Sequence, residues 1–106
     1  MPKFLVQGSY TAEGTQGLLK DGGSKRRKAA EALAKSLGGR LEAFYFAFGE
    51  TDAFAIVDVP DNVSAAAAAL TIAASGAVRV KTTVLITPEE MDQAAKKTVS
   101  YRPPGR

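Results

Sequence analysis

The sequence contains no cysteine and no histidine. Without cysteine the chain forms no disulfide, holds no zinc on thiolates and carries no thiol nucleophile, so it is indifferent to the redox state of its compartment. The lack of histidine removes the commonest general base, any Ser-His-Asp triad and most transition-metal sites. Carboxylates, Lys, Tyr, Ser and Thr remain for chemistry, and neither a metal nor a cofactor is expected. No apolar run approaches the length of a membrane span. The first ten residues, MPKFLVQGSY, lack the basic segment and sustained apolar core of a secretory signal. The expectation is a cytoplasmic protein with no membrane partner. Net charge is small: 14 basic against 11 acidic residues leave +3, too little to imply nucleic acid without a focused patch.

What the chain does have is a hydrophobic content of 45% over 106 residues, enough for one domain to bury a core without metal or disulfide support. Its clearest stretch is Arg40 to Val59, RLEAFYFAFGETDAFAIVDV. Two runs rich in Phe, Tyr, Ile and Val flank Gly49-Glu50-Thr51-Asp52, which reads as an antiparallel hairpin. Alternation puts Phe44, Phe46 and Phe48 on one face of the first strand and Leu41, Ala43, Tyr45 and Ala47 on the other. On the second strand Asp52, Phe54, Ile56 and Asp58 oppose Ala53, Ala55, Val57 and Val59. Neither face is polar, so both need cover, and an apolar patch left in water marks an interaction surface.

The flanking segments complete a small α+β plan. Lys3 to Ser9 reads as a first strand, and Tyr10 to Gly14 as a loop. Gly22-Gly23 interrupt any helix begun over residues 15 to 23. Ser24 then caps a helix from Lys25 to Leu37, with Ala30, Leu33, Ala34 and Leu37 on its buried stripe and Gly38-Gly39 as its stop. Pro60-Asp61-Asn62 caps a second helix from Val63 to Ser75, whose alanine run allows close approach to a sheet. Val78 to Thr87 alternates as a fourth strand. Thr87-Pro88-Glu89-Glu90 forms a capping box for a short helix to about Lys97. Residues 1–97 make a single domain, and residues 98–106 an extended tail.

The order strand, helix, strand, strand, helix, strand is the ferredoxin-like plan, with a four-stranded antiparallel sheet and both helices on one face. The other face then packs on a second copy, sheet to sheet, as a dimeric α+β barrel. Several short motifs in order strengthen this: Ser9-Tyr10-Thr11-Ala12-Glu13-Gly14, Leu37-Gly38-Gly39-Arg40-Leu41, Gly49-Glu50-Thr51-Asp52, Pro60-Asp61, and Ala74-Ser75-Gly76 before Val78-Arg79. Together they resemble the GYD domain family of small dimeric α+β barrel proteins, over roughly Phe4 to Met91. The resemblance implies a ferredoxin-like homo-oligomer and no established reaction. Thr51 stands where the family's Gly-Tyr-Asp signature has its tyrosine, so any role of that aromatic is lost here.

Two polar groups qualify for chemistry beside this apolar surface. Asp52 pairs with Glu50 across Thr51 and either shapes the turn or sits with a perturbed pKa at the rim of the apolar face. Tyr10 follows the first strand and either orients a ligand or packs with its hydroxyl in water. A pocket of Phe44, Phe46, Phe48 and Phe54 edged by Tyr10 and Asp52 would suit a small, partly apolar or aromatic ligand. The leading expectation is therefore a homo-oligomeric binding domain for such a molecule at the open sheet face. The alternative is a cofactor-free enzyme using Asp52 or Tyr10 for proton transfer or oxygenation. Nucleic-acid binding through Lys25-Arg26-Arg27-Lys28 ranks last, because four consecutive residues span all sides of a helix and no aromatics are interleaved.

Overall fold

The computed structural model describes all 106 residues. Its elements are β1 (Lys3–Tyr10), α1 (Ala12–Asp21), α2 (Gly23–Ser36), β2 (Arg40–Phe46), β3 (Ala53–Asp58), α3 (Asn62–Ala74), β4 (Val78–Leu85) and α4 (Pro88–Ala95). The strands form one antiparallel sheet in the order β2-β3-β1-β4, consistent with the ferredoxin-like plan. α2 packs on β2 and α3 on β4, both on the same face of the sheet. No helix is long and apolar enough to cross a membrane.

One helix departs from the sequence reading. Residues expected to be a loop and a broken segment form α1, which begins when Thr11 Oγ1 accepts the Gly14 amide at 3.2 Å. Gly14 makes this start fit, because a Cβ there would stand 2.0 Å from the Ala77 carbonyl oxygen. Gly22, at φ 80°, then turns the chain into α2 and is its N-cap in place of Ser24.

The hairpin forms where expected but is looser at its tip and bulged near its base. β2 ends at Phe46, and Ala47 to Asp52 form the connection, leaving Phe48 99% exposed. The register pairs Leu41 with Val57 and then Ala43 with Ile56, so Glu42 is the extra residue of a β-bulge. Leu41 consequently shares the face of Phe44 and Phe46, and the face expected for it, with Ala43 and Tyr45, is corrected. At this end Asp58 is buried between two cations, Lys3 Nζ at 2.9 Å and Arg40 Nε at 3.1 Å, while Lys3 also holds Glu42 at 2.9 Å. The bond to Asp58 first, then that to Glu42, raises the Lys3 ammonium above its ordinary value.

The best-buried side chains are Phe4 and Val59, each 2% exposed, at the end of the sheet where β1 starts and β3 finishes. At the other end of the chain every residue from Pro88 to Arg102 is exposed. α4 has the expected capping box, with Thr87 N–H donating to Glu90 Oε1 at 2.9 Å and Glu90 N–H to Thr87 Oγ1 at 3.1 Å. It has no substantial packing against any other element of its own chain, and the radius of gyration is 16.8 Å against about 13 Å for a compact chain of this length.

Candidate functional site

Sheet pleat and register divide the six candidate ligand residues into three groups. Tyr10, Phe44 and Phe46 lie on the helix-covered face, where Phe44 and Phe46 stack edge to face with centroids 5.1 Å apart and Phe46 reaches over Gly23 at the start of α2. Phe54 lies on the open face, paired with Tyr45 on one side and Gln7 on the other. Asp52 stands at the end of β1, and Phe48 points away from both surfaces into water. A single pocket holding all six is therefore not formed. The sheet itself stands between Phe44 and Phe54.

The helix-covered face does contain a cavity. Its volume is about 150 Å³, and 19 of its 22 lining residues are hydrophobic, so its interior offers almost no hydrogen bonds. The sheet contributes Phe4, Val6, Gly8 and Tyr10 from β1 and Ala53, Ala55 and Val57 from β3. α2 contributes Arg26, Ala30 and Leu33 from one side, and α3 contributes Ala65, Ala69 and Ile72 from the other. The void has a plain origin. The facing residues of α3 are mostly alanines, and Gly8, Ala53 and Ala55 lie beneath them, so the space between α2 and α3 is lined by short side chains. An apolar cavity of this size accommodates a benzene ring.

The cavity has two unlike ends. Phe4 and Val59 close the base. Near the opposite end stand Tyr10, the last residue of β1, and Arg26, about one turn after the Gly23 that meets Phe46. Both are half-buried. The Tyr10 hydroxyl and the Arg26 guanidinium make no hydrogen bond or ion pair within the chain, whereas Arg27 pairs with Glu31 at 3.7 Å.

Asp52 performs a different task. Its Oδ2 accepts the Tyr10 backbone amide at 2.8 Å, its own amide donates to the Gly8 carbonyl at 2.9 Å, and Ser9 Oγ donates to the Glu50 carbonyl at 2.7 Å. These bonds tie the hairpin connection to the end of β1 and so set the position of Tyr10. The carboxylate lies outside the cavity. No three His, Cys, Asp or Glu side chains come together in a group suited to a metal ion.

Arg26, Val6 and the alanines of α3 were not among the sequence candidates. For Arg26 a signal existed: the buried stripe Ala30, Leu33, Ala34, Leu37, extended back one turn, arrives at position 26. Of the basic run, Lys25, Arg27 and Lys28 are exposed and Arg26 alone turns toward the sheet.

Neither a curated protein nor a solved structure gives a significant match to the chain. The GYD domain matches residues 4–95, which spans the sheet, the helices over it and α4. This chain belongs to the GYD domain family.

Proposed function

We infer that the protein is a homo-oligomeric binding domain for a small, partly apolar molecule, held in the cavity between the helices and the sheet. The observation that carries this reading is the cavity itself, about 150 Å³ of apolar space with its unpaired polar groups near one end. On this reading the site lies on the covered face of the sheet and not on the open one, and of the expected ligand residues Tyr10 and Phe44 line it. The open face is left for a second copy of the chain. Its centre is Leu5, Ile56, Phe54 and the 72% exposed Tyr45, and Met91 of α4 and Val99 and Tyr101 of the tail are also exposed. Toward β4 the same face carries Gln7, Ser9, Arg79, Lys81 and Thr83, so the apolar patch lies on its β2-β3 side, and an exposed apolar patch of this kind is a ground for association. Asp52 favours binding over the enzymatic alternative, because its carboxylate is occupied by a backbone amide outside the cavity.

Benzene is a suitable first probe, read by the rise in melting temperature that any ligand of the folded state produces. Wild-type protein should be stabilised by benzene. Ala69→Leu, which fills the cavity from α3, should lose that response while gaining about 1 kcal/mol of stability of its own. Ile56→Lys, on the open face, should sediment as one copy rather than two and keep the benzene response. An unresponsive wild type would refute the cavity as a binding site, and a wild type that sediments as a single copy would refute the oligomer.

A further inference from the structure

We propose that the molecule held in the cavity is a small monocarboxylic acid, its apolar body between α2, α3 and the sheet and its carboxylate on the guanidinium of Arg26. The proposal rests on the cavity being a binding site, as argued above, and names the chemistry of what binds. Three observations converge on it. First, the cavity is apolar for most of its length, so a ligand with charge or several polar groups along its body would leave them without partners. Second, the one charged residue of the lining is Arg26, and it has no partner in the chain although carboxylates hold Lys3, Arg40 and the neighbouring Arg27. A guanidinium presents its donors as a planar fork that matches a carboxylate in two parallel bonds.

The third is the field around Arg26. Lys25, Arg27 and Lys28 surround it, α2 has no acidic residue in its first turn, and its N-cap Gly22 supplies no side-chain acceptor. The other three helices have a capping Thr or Asp that accepts one of their first amides. The positive end of the α2 dipole and the unpaired cations Lys25, Arg26 and Lys28 therefore act together near the polar end of the cavity, which favours an anion and disfavours an amine. Tyr10, also in the lining and with its hydroxyl free, is placed to give the carboxylate a second donor. The volume limits the body to about one aromatic ring or a short aliphatic chain.

The test compares three probes with one ring and different heads: benzoate, benzyl alcohol and benzylamine, each titrated calorimetrically into the intact protein. Benzoate should bind about tenfold or more tightly than benzyl alcohol, and benzylamine most weakly. Arg26→Gln should bring benzoate down to the level of benzyl alcohol and leave benzyl alcohol unchanged, with Arg26→Lys in between. Lys25→Gln combined with Lys28→Gln should weaken benzoate only slightly at physiological salt, because those charges act at a distance. Equal affinity for the three probes would overturn the carboxylate and leave the cavity reading standing. Loss of all binding in wild type would overturn the cavity reading instead. A fall in benzyl alcohol binding equal to that of benzoate in Arg26→Gln would show that Arg26 supports the fold, and an equal effect from Lys25 and Lys28 would show that the field, and not Arg26, selects the ligand.

Discussion

The carboxylate of Asp52 and its amide both bond to the end of β1, the one accepting from Tyr10 and the other donating to Gly8. A hydrogen bond to a charged acceptor in a half-buried setting is among the stronger single contacts in a small domain. Asp52→Ala should therefore cost about 2 kcal/mol in urea unfolding, whereas Asp52→Asn, which keeps a carbonyl acceptor, should cost less than half of that. Equal losses in the two variants would contradict the bond. The sequence marked Asp52 as important without distinguishing a turn residue from an acid, because the discriminating contact is to an amide 42 positions away. Arg26 shows the opposite case. Its neighbours in sequence are all basic, and the run looks like a solvated helix start until the helical stripe is followed residue by residue.

Among the elements, α3 and α4 were legible in outline because their caps are local. Asp61 Oδ1 accepts the Ser64 amide at 2.8 Å, and that bond, backbone donor first, lowers the Asp61 pKa below its ordinary value. A carboxylate whose folded pKa is depressed contributes stability above its unfolded pKa and loses it as the pH falls through the folded value. Stability of the wild type should accordingly decline below about pH 4 in part through this cap. Asp61→Asn should flatten that decline, since the amide caps without titrating, and Asp61→Ala should lower stability at neutral pH as well; an unchanged acid limb in Asp61→Asn would contradict the assignment. α1 was not legible. Gly14 and Gly17 lower its intrinsic propensity, and what holds it is Thr11 together with the seat of Gly14 against Ala77, a residue brought there by β4. The bulge at Glu42 was hidden for the same kind of reason: strict alternation is the natural reading of a strand, and the salt-bridge cluster of Lys3, Glu42, Asp58 and Arg40 that accompanies the break joins residues far apart in sequence.

In the whole molecule the sheet separates a helix-covered apolar face from an open face that is apolar on its β2-β3 side, and the two compete for the same residues when the hairpin is read alone. The doubly apolar strands announced that both faces need cover, and the strand order followed from the alternation of elements. Which face holds a cavity was not announced, since a void is a property of three elements at once: short side chains on α3, small residues at Gly8, Ala53 and Ala55, and the separation of α2 from α3. The proposed function assigns ligand binding to the covered face. Methyl NMR spectra of the wild-type protein, recorded with and without saturating benzoate, test it most directly. The methyls of Val6, Val57, Ile72 and Val80 should shift, and those of Leu5, Ile56 and Leu85 should remain within error. Shifts confined to Leu5, Ile56 and Leu85 would contradict the claim and return the site to the open face.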